Sequence, residues 1–226
     1  MKQDKKGVER QLSTFPKLKL CALLAVLAML SIGVVVATDG SEDSSAVVTP
    51  TYSYDVGTMT ATVTGGGGSG DLTIPATVTY SGQIYRVTEI GISAFSERSD
   101  ITSLTLGSNI AYIGIEGFNK CIGLTSVTLP NSVKELDGQA FMNCTGLTSI
   151  NMGSVEKTGN QAFAGCTKLT SITFPSTLTF IRQSMFNGCT SLVSADLSAL
   201  QYPMTQFEGS TFYGCTSLTS VSLPTG

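Results

Sequence analysis

The sequence predicts a repeat solenoid: mainly parallel β coils stacked along one axis, with one short helical turn per repeat and an N-terminal β-hairpin cap. Three observations predict it. Phenylalanine recurs at Phe95, Phe118, Phe141, Phe163, Phe186 and Phe212, in steps of 23, 23, 22, 23 and 26 residues. Cysteine follows three residues after each of the last five, at Cys121, Cys144, Cys166, Cys189 and Cys215, with Arg98 in that place in the first unit. Three residues further on runs an aliphatic column of Ile101, Leu124, Leu147, Leu169, Leu192 and Leu218. A period of this length marks stacked units, because one unit is too small to bury its own apolar face and depends on its neighbours for a core.

From the N-terminus, residues 1–37 read as a signal peptide or signal anchor. Lys2, Lys5, Lys6, Arg10, Lys17 and Lys19 precede Leu20–Ala37, which is apolar apart from Ser31, and Asp39, Glu42 and Asp43 follow it. That charge asymmetry sends the C-terminal side outward. Val35-Val36-Ala37 offers small residues for cleavage, while an apolar run of 18 residues is nearly long enough to be retained as a single anchor. Residues 38–50 read as a polar linker, and 51–100 as the cap and an atypical first coil. Val47–Thr64 alternates apolar and polar residues around Asp55-Val56-Gly57, as a hairpin does. Gly65–Gly70 is expected to be a flexible loop; it is no phosphate cradle, since neither Lys-Ser/Thr nor a helix-forming segment follows. Val78, Tyr80, Ser81-Gly82 and Ile84 predict a second small hairpin.

Residues 101–226 are repeats of 22–26 residues, the last one incomplete. Each carries L-x-x-V-x-L, as in Leu124, Val127, Leu129 and in Leu218, Val221, Leu223, the strand segment of a leucine-rich repeat. A second apolar pair follows in each unit: Val87 and Ile90, Ile110 and Ile113, Val133 and Leu136, Leu178 and Ile181, Met204 and Phe207. Val155 is followed by Thr158, the one weak rung. The segment between Met152 and Val155 is one residue short, and Ser198–Pro203 carries three extra. With a strand period of two, Val127 and Leu129 point inward and Ser126 and Thr128 outward. Stacking extends the outward positions into two columns, Ser103, Ser126, Ser149, Ser171, Ser194, Ser220 and Thr105, Thr128, Asn151, Thr173, Asp196, Ser222. The A-F-x-x-C stretch is too short for a full helix. Gly165, Gly188, Gly214 and Asn143 before the cysteines suit a left-handed residue, so one helical turn per coil is expected.

Units such as Ala162–Pro175 and Ala140–Asn151, with their A-F-x-x-C-T-x-L-T-S-I pattern, resemble the BspA-like leucine-rich repeats. The likeness covers about Tyr52–Gly226 and includes Leu72–Gly91, which is similar to that family's usual first coil. It implies a leucine-rich-repeat solenoid on a surface or secreted protein of anaerobic bacteria or parasitic protists, many of them adhesins. Departures are Arg98 at a cysteine position, Gly117 and Met185 at alanine positions, and Thr158 at an aliphatic one. The resemblance brings no catalytic residues with it.

Composition narrows the function. The chain has no histidine and no tryptophan, so the commonest general base and zinc ligand are missing, and neither an enzyme nor a cofactor is expected. From Thr38 onward there are 14 acidic and 7 basic residues, a net charge of −7 that repels nucleic acid. The five repeat cysteines occupy one inward place per coil, which reads as buried free thiols rather than disulfides or a metal site. Glu116, Glu135, Asp137, Glu156 and Glu208 vary in register and read as a solvated rim.

The outward sheet face is the candidate binding surface: Ser126, Thr128, Ser149, Asn151, Ser171, Thr173 and Asp196, residues that solvated β-strand would explain equally well. Tyr112, Tyr202 and Tyr213 are candidate exposed aromatics. The phenylalanine and cysteine columns form the structural ladder. The expected function is an extracellular protein-binding or adhesion module, at the cell surface or secreted; the competing reading is a structural, self-assembling surface component. Expected partners are host or neighbouring-cell surface proteins or extracellular-matrix proteins, with glycans as a further class. A membrane enters only through the N-terminal segment, where that segment is not cleaved.

Overall fold

The structure, a computed structural model, describes residues 35–36, 47–201 and 206–224. Apart from Val35 and Val36, the apolar segment Leu20–Ala37 lies outside the described residues, as do Tyr202 and Met204. Among the described residues no helix is long and apolar enough to cross a membrane.

The N-terminal cap is made first. Strand β1 (Val35–Val36) pairs antiparallel with β2 (Val47–Asp55), which turns back into β3 (Thr60–Gly67) as an antiparallel hairpin. The turn is held by the Asp55 carboxylate, which accepts from the Gly57 and Thr58 amides at 2.8 and 3.2 Å. β2 begins at Val47, inside the stretch assigned to a linker, because Val48 is buried and pairs with Leu72 of β4 (Gly70–Ile74). A second hairpin joins β5 (Thr77–Tyr80) to β6 (Gln83–Ile90) through Ser81 and Gly82, both left-handed, as a two-residue hairpin turn of type I′ requires. The glycine run is not the flexible loop expected from its composition. Gly65–Gly67 finish β3 and Gly70 opens β4. A Cβ on Gly66 would lie 2.5 Å from the Thr49 carbonyl oxygen, so these glycines let two strands approach.

Each repeat then adds a pair of short strands: β7 (Ile101–Leu106) and β8 (Tyr112–Ile113), β9 (Ser126–Thr128) and β10 (Glu135–Leu136), β11 (Ser149–Asn151) and β12 (Lys157–Thr158), β13 (Ser171–Thr173) and β14 (Phe180–Ile181), β15 (Ser194–Asp196) and β16 (Gln206–Phe207), and finally β17 (Ser220–Ser222). The result is a parallel β-solenoid of about 7 turns. The second strands form one continuous parallel ladder from β6 through β8, β10, β12 and β14 to β16, which runs on through β3 into the cap. The first strands form shorter parallel groups, β4 with β7, β9 with β11, and β13 with β15 and β17. Register follows the repeat: Ser126 faces Ser149, Thr128 faces Asn151, Thr173 faces Asp196 and Asp196 faces Ser222.

No helical turn closes the coils; among the described residues there is no helix at all. The reason lies in paired left-handed residues four positions apart, Glu116 and Lys120, Gln139 and Asn143, Gln161 and Gly165, Ser184 and Gly188, which interrupt the run of right-handed φ a helix needs. The amides between them bond across coils instead. Glu116, Phe118 and Lys120 donate to the carbonyls of Gly138, Ala140 and Met142 at 2.7–3.0 Å, and Gln139, Phe141 and Asn143 repeat the pattern onto Asn160, Ala162 and Ala164. The corner is therefore a third cross-coil ladder.

Inside it, the phenylalanines stack in one column. Consecutive rings from Phe95 to Phe186 lie 5.2–5.6 Å apart and nearly parallel, and Phe212 continues the column at 5.9 Å. The cysteines run beside them as free thiols, four buried and Cys215 partly so. Each thiol donates to the phenylalanine carbonyl of the preceding coil: Cys121 to Phe95, Cys144 to Phe118, Cys166 to Phe141, Cys189 to Phe163 and Cys215 to Phe186, at 3.1–3.3 Å. Arg98 stands at this place in the first unit because the layer before it is the cap. Its longer side chain reaches the Gly66 and Gly68 carbonyls and pairs with Asp100.

Phe141→Ala removes a ring that is fully buried between two others and is expected to lower stability by about 3–5 kcal/mol, whereas Ser126→Ala, on the exposed face, should change it by less than about 0.5 kcal/mol; urea unfolding followed by circular dichroism measures both.

Burial pushes the thiols up, to about 12 for Cys121 and Cys189 and upward for Cys144 and Cys166 as well. These groups stay protonated in the folded chain while the unfolded chain loses its protons near pH 9, so the folded state binds more protons above that pH. Stability should therefore hold up to about pH 8.5 and fall progressively as pH rises through 9 and beyond, read from urea midpoints; replacing Cys121, Cys144, Cys166 and Cys189 together by alanine should flatten that fall.

Candidate functional site

Two surfaces of the solenoid carry side chains that could meet a ligand. The first is the outward face of the leading strands. Ser126, Thr128, Ser149, Asn151, Ser171 and Thr173 are exposed there and Asp196 is half-exposed, in two columns set by the parallel register. Adjacent rungs are about 4.8 Å apart, so the face is a regular strip of short polar side chains with no aromatic residue in it. Its edge is tied down by a column of threonines one residue earlier. Thr148 donates its hydroxyl to the Thr125 carbonyl at 2.9 Å, and Thr219 donates to the Val193 carbonyl at 3.3 Å.

Within the strip the residues are not equivalent. Asn151 and Asp196 occupy the threonine position in two coils that lack the following proline: Leu129-Pro130 and Phe174-Pro175 close β9 and β13, but Met152-Gly153 and Leu197-Ser198 close these. Their side-chain oxygens accept from the amides two residues on, Gly153 at 2.9 Å and Ser198 at 3.0 Å. They cap the strand end where proline does not, and the Ser198 hydrogen bonds hold the Asp196 carboxyl below its ordinary range. Ser126, Thr128, Ser149, Ser171 and Thr173 keep their hydroxyls on the open face.

The second surface is the outer side of the β8–β16 ladder, where charged and aromatic residues gather. Glu135 of β10 faces Lys157 of β12, which faces Phe180 of β14. Two residues beyond, at each coil's corner, lie Asp137, Gly159 and Arg182. The Asp137 carboxylate accepts from the Gly138 amide at 2.7 Å and from the Tyr112 hydroxyl. Burial, and then that carboxylate, push the Tyr112 hydroxyl upward in pKa, so it remains a donor. Arg182 lies over the Phe180 ring, 4.3 Å from its centroid, and pairs with Glu208 at 3.0 Å. Between Asp137 and Arg182 the surface dips into a notch of about 300 Å³.

The notch sits on the weak rung. Thr158 is buried there, and its hydroxyl donates to the Phe180 carbonyl at 3.2 Å, so the polar residue is satisfied. Next to it, a Cβ on Gly159 would lie 2.3 Å from the Gly138 nitrogen, so no side chain can fill the space above. The sequence shows the short unit and the misplaced threonine, but not that Asp137, Gly159 and Arg182 of three successive coils stand together beside them.

The candidate aromatics divide. Tyr213 is 72% exposed on the last coil, Tyr112 is half-buried with its hydroxyl committed to Asp137, and Tyr202 is outside the described residues. Of the rim acids, Glu156 pairs with Lys134 at 3.2 Å and Glu208 with Arg182, while Glu116 accepts from the Ser93 hydroxyl at 3.2 Å. Among the described residues no group of three or more histidine, cysteine or acidic side chains is placed to hold a metal ion.

The family described as BspA type Leucine rich repeat region matches residues 88–219 in 6 copies. No curated protein sequence matches the chain. Among solved structures, the leucine rich repeat protein of T. pallidum superposes with a TM-score of 0.67 at 23% identity, over 76% of this chain and 78% of that one. The pneumococcal vaccine antigen PcpA superposes with a TM-score of 0.50 at 19% identity, over 74% of this chain and 50% of that one. A leucine rich cell surface protein from Faecalibacterium prausnitzii A2-165 gives 0.34 at 16% identity, over 86% and 96% of the two chains. At these identities the likeness is one of fold.

Asn151→Ala and Asp196→Ala each remove a strand-end cap and are expected to cost about 0.5–1.5 kcal/mol in urea unfolding, more than Ser149→Ala on the same strip, which leaves the backbone bonds intact.

Proposed function

Because the chain belongs to the BspA-type leucine-rich-repeat family, whose members are typically surface protein-interaction modules, we propose that it is an extracellular binding or adhesion module working through the outward strip of its leading strands. The observation that carries this reading is the strip itself: Ser126, Thr128, Ser149, Ser171 and Thr173 stand exposed, in register and on rigid backbone. Hydroxyls both donate and accept, and threonine loses little rotamer freedom when a partner covers it, so a flat protein surface can lie across several coils at low ordering cost. With a net charge of −7 beyond Ala37, recognition does not depend on a strong positive field, and nucleic acid is not among the partners proposed.

The partners proposed are host or neighbouring-cell surface proteins and extracellular-matrix proteins. The basic leader and apolar run of residues 1–37 support export and display at the cell surface or secretion. A leucine-rich-repeat solenoid is generally a non-catalytic scaffold, which accords with a binding role.

The test is surface binding of the purified full chain to extracellular-matrix proteins, mucin and candidate neighbouring cells. Saturable binding reduced at least about tenfold by Thr128→Lys with Thr173→Lys, at unchanged thermal stability, is expected, since two desolvated contacts of about 1 kcal/mol each suffice for that loss. Binding that ignores both substitutions would move the contact to another face, and concentration-dependent polymers without binding would replace recognition by self-assembly.

A further inference from the structure

We infer that the notch above Gly159 on the second ladder is a binding subsite for one uncharged sugar residue, a site separate from the strip of the leading strands. Its position is set by the repeat. Asp137, Gly159 and Arg182 hold the same place in three consecutive coils, so the acid and the guanidinium rise on either side of a floor with no side chain, about 10 Å apart at the backbone. Glu135, Lys157 and the half-buried Phe180 ring complete the lining.

The chemistry of the lining selects the ligand class. Two carboxylates and two cations face the same 300 Å³, so their charges balance. A cationic or anionic group entering would be attracted by one wall and repelled by the other. A neutral ligand whose groups donate and accept at once meets no such conflict, and hydroxyls on a compact ring are that kind of group. The walls are already held in place. Asp137 is fixed by the Tyr112 hydroxyl and the Gly138 amide, and Arg182 by Glu208 and the Phe180 ring. Each carboxylate oxygen has lone pairs to spare, and the guanidinium has five donors of which the Glu208 ion pair needs few. Little side-chain freedom is therefore lost on binding. Ring surface from Phe180 lies beside these groups, where the C–H face of a sugar can rest. In the preceding coils the same corner place is Gly91 and Gly114, which raise no charged wall; the place after it carries Ile92 and Ile115, exposed one above the other, and Gly138 follows them in that column.

That column supplies a blocking variant that should fold. A Cβ on Gly138 meets only the Asn160 carbonyl oxygen at 3.6 Å, an ordinary contact, so Gly138→Ile has room to carry the isoleucine column onto the rim of the notch, beside Asp137. Titration of the purified full chain with neutral mono- and disaccharides, followed by ligand-observed NMR, is expected to give saturable binding that changes little between low and high salt. Gly138→Ile and Asp137→Ala should each weaken it at least about tenfold, the loss expected from one charge-assisted hydrogen bond, while Thr128→Lys leaves it unchanged. Absence of binding across the panel, or binding indifferent to both notch variants, overturns the proposal. Salt-sensitive binding of a charged peptide, lost in the same two variants, would overturn the sugar and put a partner's side chain in its place. Because Thr128→Lys acts on the strip alone, failure here leaves the adhesion reading standing, and failure of that reading leaves this one.

Discussion

The constraint on which the molecule depends is that every coil must present the next with backbone groups in the same register. Two ladders run the length of the solenoid, one through the second strands and one through the corner where Phe118 donates to Ala140 and Phe141 to Ala162, while the leading strands pair in three shorter groups. A buried amide left without a partner costs about 1–3 kcal/mol, and shifting one coil would strand several at once, so a coil cannot shift alone. The side chains repeat because the backbone does. Phenylalanine fills the corner since a flat ring stacks on its copy at the spacing that the strands impose. Cysteine fits beside it for a related reason: it is small, apolar, and its thiol adds a second hydrogen bond to a phenylalanine carbonyl that already accepts from the cysteine amide of its own coil.

What must repeat therefore lies inside, and what may vary lies outside, yet the irregular places show that the two are coupled. Where the layer below is a cap of glycines rather than a coil, a small thiol would fall short, and Arg98 spans the gap to Gly66 and Gly68. Where proline is missing after β11 and β15, Asn151 and Asp196 fold their side chains back to close the strand. Where one unit is a residue short, Thr158 replaces an aliphatic residue and turns its hydroxyl to a neighbouring carbonyl, beside the bare floor of Gly159. Each of these departures is answered by a polar contact, and the surface dips both here and at Asn151 and Gly153, where the proline is missing.

The same distinction decides what could be read from the residues alone. The phenylalanine, cysteine and leucine columns, the inward and outward halves of each leading strand, and both hairpins of the cap are periodic or carry turn chemistry, so they are legible without coordinates. The corner was not, because Glu116, Lys120, Gln139 and Gln161 adopt left-handed φ that their residue types do not announce; only the glycines and Asn143 hint at it. A single unit looks like a short helical turn, and cross-coil bonding overrides that local preference. The glycine run misleads in the opposite direction: composition says flexible loop, while close approach of β2 demands strand. The notch was illegible for a further reason. Its walls come from three different coils, and nothing in one coil's sequence says which residues of the next two will stand beside it.

The recognition proposed for this solenoid follows from its geometry. Stacking buries most large apolar side chains, so the outside keeps short hydroxyls, paired charges and scattered apolar residues such as Ile84, Ile92 and Tyr213 rather than one large anchor. Affinity has to accumulate along the axis. Each added coil offers the same small contact again, at a spacing fixed by hydrogen bonds rather than by flexible loops, so the ordering cost of successive contacts is met once by folding and not again by binding. Such a surface favours partners that are themselves extended or repetitive. A subsite of the kind inferred for the notch, where Asp137, Gly159 and Arg182 of three coils meet, would break that degeneracy and fix where along the axis a repetitive ligand comes to rest.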